Sequence, residues 1–242
     1  MTADPRRRLV EATAAPYRAA GPYAWHFARG KLDGDPVFCA ILRDGLIPAS
    51  ADVLDLGCGQ GLLAGWLSAA SRAYTEGEWP AGWATPPRLV GYRGIELMAK
   101  DVARARSGLP AQARAEQGDI RQVGFGRVNT VVILDVLHYI EPTAQRAVLA
   151  RVRACLEPGG VLLLRVGDAA AGLRFRISQG VDWLVTRLRG QTSGRLHCRP
   201  LADWHADLEA LGFSVRMLPM STGTPFANHL LIASTGDENG AH

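Results

Sequence analysis

The sequence predicts an α/β fold, a mostly parallel sheet with helices on both faces, and three observations predict it. The run Val53-Leu54-Asp55-Leu56 ends at Gly57, and Leu62, Leu63, Trp66 and Leu67 follow at helical spacing. The same switch of period recurs at residues 88–95 followed by 97–106, and at 128–134 followed by a helix that Pro142 opens. Residues 128–134 are strongly β-branched and mostly apolar, the composition of a central strand covered on both faces, and 161–166 read as another central strand.

The elements before and after this alternation have their own signals. Residues 1–50 read as an N-terminal helical cap: Leu9, Val10, Thr13 and Tyr17 lie at roughly helical spacing, and Pro36 opens a helix carrying Val37, Phe38, Ile41 and Leu42 on one face. The main domain is expected over 51–236, with residues 112–117 as a weaker strand fit for a sheet edge. Residues 72–87 hold Tyr74, Trp79, Trp83 and three prolines with no period, and read as an inserted loop. Val148, Leu149, Val152 and Leu156 form the buried side of the helix after Pro142, and Gly159-Gly160 reads as a turn before the next strand. Residues 168–200 are expected to form a lid, with Ile177, Val181, Leu184, Val185 and Leu188 on one helical face. Leu201, Trp204, Leu208 and Leu211 mark a helix that Gly212 ends. Phe213, Val215 and Met217, then Phe226, Asn228, Leu230 and Ile232, alternate as a closing antiparallel pair, and 237–242 form a polar tail.

Composition narrows the function. The 242 residues are 48% apolar and 21% charged, which suits a globular chain with a sizeable core. The net charge is +4, and only Lys31 and Lys100 are lysines, so the basic pI reflects arginine usage and does not demand nucleic acid. Cys39, Cys58, Cys155 and Cys198 include no C-x-x-C pair; no zinc site is expected, and four scattered thiols suit a reducing, cytoplasmic setting. No apolar run reaches the ~18 residues of a membrane span, and Arg6-Arg7-Arg8 leads into no apolar signal region.

The chemistry sits in Asp55-Leu56-Gly57-Cys58-Gly59-Gln60-Gly61, which joins the first strand to a helix. Glycines at this turn admit positive φ and close approach of a ligand to the backbone. The pattern is G-x-G-x-G, whereas a dinucleotide fingerprint would place its third glycine at the position of Leu62. Asp55 opposes a pyrophosphate and suits a ligand with a cationic end. Glu96 closes the second strand, where an acid accepts hydrogen bonds from ribose hydroxyls. It follows Gly57 by 39 residues, and setting aside the sixteen of 72–87 leaves 23, close to the ~20 of the usual unit.

On these residues the chain resembles the class I S-adenosylmethionine-dependent methyltransferases. Residues 53–61 resemble the first motif of that family, and Glu96 matches its ribose-binding acid. Gly118-Asp119-Ile120 resembles the third motif, whose acid bonds the adenine amino group, residues 131–140 the fourth, and 156–161 the sixth. The resemblance implies a Rossmann-like seven-stranded sheet with an antiparallel final hairpin. It implies S-adenosylmethionine as cofactor, held by Asp55, Leu56, Gly57, Cys58, Gly59 and Gly61, by Glu96 and Leu97, by Gly118, Asp119 and Ile120, and by Leu134, Asp135 and Tyr139. The stretches 27–32 and 35–38 are similar to a cap in some bacterial methyltransferases of aryl-polyene or acyl-product biosynthesis.

The expected reaction is methyl transfer to a small-molecule or carrier-bound acyl acceptor, at oxygen, by a monomer or homodimer. A methyl sulfonium is already activated, so the protein must chiefly align the nucleophile at ~3–3.5 Å and exclude water. His138, after the fourth-motif strand, is the candidate catalytic base; its other reading is a wall beside Tyr139. His26, Arg174 and His197 are candidate substrate residues, each with a surface or structural alternative. Asp168 reads equally as a substrate-facing acid or a turn residue, Trp79 and Trp83 as a lid or a cover for the core, and Arg29 and Lys31 as holders of the cofactor carboxylate. Cys58 reads as a small loop residue and not as a redox group.

Three other functions are weighed. A nicotinamide-dependent oxidoreductase is opposed by Leu62, by Asp55 and by the lack of a Tyr-x-x-x-Lys pair. A nucleic-acid methyltransferase of the amino-directed kind would carry a proline-rich fourth motif, and Leu134-Asp135-Val136-Leu137-His138 has none. A non-catalytic partner subunit would have shed cofactor-facing residues that this chain keeps.

Overall fold

The computed structural model describes residues 4–168, 196–220 and 228–236. By contact, the chain divides into two compact units, 1–124 with 128–132, and 125–127 with 133–242.

In the first unit, helices begin where the sequence supplies a fixed φ and a cap. Asp4 accepts the Arg6 amide at the head of α1 (Pro5–Ala14), and Asp35 accepts the Val37 amide at the head of α3 (Pro36–Arg43). A 3₁₀ turn (Ala15–Ala20) leads to α2 (Pro22–Gly34), a helix that the sequence reading did not register. Its buried face is only Ala24, Ala28 and Leu32, and Gly30 interrupts it, so its periodicity is faint. Helix α1 and the 3₁₀ turn pack onto α4 (Leu62–Thr75) and α5 (Ala99–Gly108) respectively, at glycine notches. A Cβ at Gly65 would lie 3.2 Å from Thr13 Cγ2, and one at Gly108 would overlap the ring of Tyr17.

Strands β1 (Ser50–Leu56), β2 (Arg88–Glu96) and β3 (Ala113–Gln117) pair in parallel, with Val53 opposite Tyr92 and Glu96 opposite Gln117. The first residues of β4 (Val128–Leu134) pair with the other side of β1. The expected loop of 72–87 begins later, because α4 runs on to Thr75; Tyr74 at the end of that helix meets Trp79, and Trp79 meets Trp83, edge to face at 6.3 and 5.6 Å, and the Trp79 indole donates to the Ala84 carbonyl.

The second unit holds α6 (Pro142–Cys155), β5 (Leu156–Gly167), α7 (Leu201–Ala210), β6 (Ser214–Pro219) and β7 (Asn228–Ser234). Strand β7 lies antiparallel to both β5 and β6, with Leu164 opposite Leu231. The sheet order is β3-β2-β1-β4-β5-β7-β6. Leu162, Leu163, Leu164, Leu230, Leu231, Trp204 and Leu208 are buried here. Two expectations are corrected. Leu156 begins β5 and does not end α6, and Gly159-Gly160 lies within that strand, Gly159 at φ 70°. The expected closing antiparallel pair is present as β6 and β7, and Met217 on the edge strand β6 is 42% exposed. The expected lid helix at 177–188 and the beginning of the last strand at Phe226 lie outside the described residues.

Candidate active site

The turn after β1 is clamped onto the end of β2. The amides of Gly57 and Cys58 both donate to the Ile95 carbonyl, at 2.7 and 3.1 Å. The Gly59 amide donates to Glu96 Oε2 and the Met98 amide to Glu96 Oε1, each at 2.9 Å. Gly61 stands at φ 69° as the residue before α4, and a Cβ there would lie 3.0 Å from Leu109 Cδ2. Its left-handed conformation and its closeness to Leu109 both favour glycine. A Cβ at Gly94 would lie 2.5 Å from Cys58 Sγ, so the bare backbone of β2 makes room for this thiol.

Beneath the loop, Asp55 is buried and Tyr92 Oη donates to its Oδ2 at 2.6 Å. Burial pushes the Asp55 carboxyl up to about 7; the Tyr92 hydrogen bond opposes this and the charge of Glu96 adds to it. Burial, with the charges of Asp55 and Glu96, pushes the Cys58 thiol far up, so it stays protonated. This chemistry agrees with the reading of Cys58 as a small packing residue.

The third motif joins the same place. The Gly118 amide donates to the Glu96 carbonyl at 3.0 Å, and a Cβ at Gly118 would lie 2.5 Å from Val123 Cγ1. Asp119 follows, but its carboxylate accepts from the Arg121 amide and guanidinium, which hold it below the usual carboxylate range. Ile120 and Leu56 are buried, and Leu97 is 57% exposed beside Glu96. Asp55, the glycine loop, Glu96 and the third motif are therefore gathered in the first unit.

The residues after β4 belong to the second unit. Asp135 has φ 60°, the one positive φ of a non-glycine among the described residues. It is held there by Arg165, which is 2% exposed on β5 and donates to both carboxylate oxygens, Nε to Oδ1 at 2.9 Å. His138 and Tyr139 lie in a 3₁₀ turn (Leu137–Tyr139), their rings 4.1 Å apart. Burial pulls the His138 imidazole below its ordinary value, against the charge of Asp135, so it is neutral at neutral pH. The His197 amide donates to the His138 carbonyl at 2.8 Å, and the His197 side chain lies 3.1 Å from Glu141. Gln145, fully buried on α6, donates to the carbonyls of Leu137, Ile140 and His197. Asp168 accepts the Leu201 amide at the head of α7.

Other candidates fall elsewhere. His26 lines a groove of about 490 Å³ between α1 and α2 with Arg6, Arg7, Glu11 and Arg29. Arg29 pairs with Glu11 and Lys31 with Asp35. Arg174 lies outside the described residues. Sequence reasoning missed Tyr92, Gln60 and Arg165; the arginine inside the apolar run 161–166 was the one visible signal among them. Among the described residues no group of three or more His, Cys, Asp or Glu is placed to hold a metal ion, and no helix is long and apolar enough to cross a membrane.

A reversed hairpin after a parallel sheet, with a glycine loop bonded to the acid that ends β2, defines the Rossmann-like class I S-adenosylmethionine-dependent methyltransferases. A family model described as a methyltransferase domain matches residues 24–218, and the chain belongs to that family. Among solved structures, it is similar to magnesium protoporphyrin IX methyltransferase from Synechocystis PCC 6803 with bound S-adenosylhomocysteine (TM-score 0.58, 20% identity, 96% of this chain and 98% of that one). It is also similar to an O-methyltransferase family protein from Burkholderia thailandensis (TM-score 0.61, 18% identity, 92% and 63%). In sequence it is 34% identical over 119 residues to a carboxy-S-adenosyl-L-methionine synthase of Chromohalobacter salexigens, covering 47% of this chain and 39% of that protein. It is 30% identical over 134 residues to the enzyme of the same name from Geobacter metallireducens, covering 50% and 53%. The chain thus spans about half the length or less of these curated relatives. The resemblance of its cap to the aryl-polyene group gains no support from these comparisons.

Proposed function

We propose that the chain binds S-adenosylmethionine at the loop of residues 57–61 and transfers its methyl group to a small-molecule or carrier-bound acyl acceptor, at oxygen. The observation that carries this reading is the Glu96 carboxylate, fixed by one amide on each oxygen. A carboxylate offers about four acceptor sites, so it can take two amides and a ribose diol together. The residues fit the cofactor in charge as well: Asp55 and Glu96 act on each other electrostatically, and a cation relieves that repulsion.

The bound sulfonium supplies an activated methyl group. The chain's own residues bind, orient and take up protons. Glu96 and the loop amides fix the ribose end; Asp55 favours the cationic end. His138, neutral and half-buried, is suited to accept the proton of an alcohol or phenol as the new bond forms.

The curated relatives support a second reading, in which S-adenosylmethionine is itself modified to the carboxylated product their name describes. Incubation of the purified chain with S-adenosylmethionine and a metabolite extract, read by mass spectrometry, separates the two. Gain of one methyl on an acceptor, with S-adenosylhomocysteine released, is the expected result. A carboxylated cofactor would establish the second reading, and no consumption of S-adenosylmethionine would overturn both.

A further inference from the structure

We propose that Gln145 is a positioning residue, its side-chain amide holding the 3₁₀ turn that presents His138; this rests on the reading of His138 as the base. Gln145 is the fourth residue of α6, and its own backbone amide donates to the Glu141 carbonyl at 2.9 Å. Side chains on a helix lean toward its N-terminus, so this one reaches back past the helix start. Its Nε2 donates to the carbonyls of Leu137 at 3.1 Å and Ile140 at 3.0 Å, the residues that open and follow the turn. The same nitrogen donates to the His197 carbonyl at 2.9 Å, and the His197 amide donates to the His138 carbonyl at 2.8 Å. One side-chain amide thus staples the turn to a segment 52 residues further on, and all of these groups belong to the second compact unit.

Packing alone does not account for a glutamine here. The residue is fully buried and its Oε1 has no hydrogen-bond partner among the described residues. Methionine or leucine would fill the space without the cost of an unpaired acceptor. What the amide adds is position: three carbonyls converge on one nitrogen with two N–H bonds, which fixes the backbone on both sides of His138. The charged groups around the turn are held in place as well. Asp135, whose charge acts on His138, is bonded by Arg165, and the His197 side chain lies 3.1 Å from Glu141. A general base must meet its proton within hydrogen-bond reach, and a displacement of about 1 Å can cost on the order of 10²-fold in rate.

The test is NMR of the natural protein and of Gln145→Met, each with ¹³C-labelled histidine. In the natural protein the side-chain amide protons of Gln145 are expected to exchange slowly with solvent; exchange as fast as that of an exposed glutamine would overturn the proposal with no substitution made. In Gln145→Met the titration midpoint of His138 is expected to rise toward the ordinary ~6.5 as water reaches the loosened turn, while His26, His205 and His229 keep theirs. On the acceptor of the natural protein, kcat is expected to fall about tenfold or more, with KM for S-adenosylmethionine within about twofold. An unmoved His138 midpoint, equal displacement of all the histidines, or an unchanged kcat would overturn the proposal. A natural kcat/KM profile that His138→Gln leaves unaltered would instead overturn the base reading on which it rests.

Discussion

Tyr92 Oη donates a 2.6 Å hydrogen bond to Asp55 Oδ2, from one buried strand to its neighbour, and this is the one side-chain hydrogen bond to that carboxyl among the described residues. The bond does not offset burial, and the carboxyl is pushed up to about 7. Its value in the unfolded chain is about 3.9. The folded state therefore binds the proton more tightly, so this group's stabilisation is fully present below pH ~4 and is lost as pH rises through about 7. Replacing Asp55 by Asn removes the dependence. From pH 5 to pH 8, denaturant unfolding of the unliganded variant is expected to gain on the natural protein by on the order of 2 kcal/mol, in the direction of greater relative stability for Asn. An identical pH slope in both proteins would contradict the buried-carboxyl assignment.

The same ionisation links to the ligand. A cationic cofactor favours the charged carboxyl, so binding below pH 7 is expected to release protons. Titration at pH 6.5 in two buffers of different ionisation enthalpy reads that release, and Asp55→Asn is expected to reduce it.

Asp135 and Arg165 make a second prediction. A non-glycine at φ 60° is strained, and the guanidinium that holds it is 2% exposed. Asp135→Ala strips a buried arginine of its neutralising carboxylate, and on the order of 3 kcal/mol of stability is expected to be lost. Asp135→Asn, which tolerates the left-handed region and keeps one acceptor, is expected to lose less. Urea unfolding of the two variants orders them.

Burial of His138 sets the pH profile if its imidazole accepts the acceptor's proton. The rising limb of kcat/KM is expected below the ordinary ~6.5. His138→Gln is expected to abolish that limb and lower kcat by ~10²-fold or more. A profile that survives the substitution assigns His138 to the wall of the site.

Gly108 tests the packing beneath the loop. Gly108→Ala drives a methyl into the Tyr17 ring, whose hydroxyl holds the Gln60 carbonyl. A loss of about 1–3 kcal/mol is expected, with weaker cofactor affinity as the loop shifts. Tyr17→Phe removes only the hydrogen bond and is expected to cost about 1 kcal/mol.

What was legible in the sequence was local. The turn at residues 55–61 and its proximity to the acid at 96 could be read because turn glycines and a strand end have fixed chemistry, and setting aside an aperiodic aromatic stretch brought their spacing near that of the usual unit. The contacts that adjust the site were not legible, because each joins distant segments. Tyr17 reaches Gln60 across 43 residues and Asp135 meets Arg165 across 30. Helix α2 hid behind a face of two alanines and one leucine. Asp119 had the expected place, but nothing in Gly118-Asp119-Ile120 announced that Arg121 would engage its carboxylate.

The central claim is that Glu96 and the glycine loop hold an adenosyl cofactor. Calorimetric titration of S-adenosylhomocysteine into the natural protein and into Glu96→Ala tests it most directly. The account predicts saturable binding by the first and affinity at least about tenfold weaker in the second, from loss of charged hydrogen bonds. Equal affinity in the two proteins, or no binding by either, would contradict it.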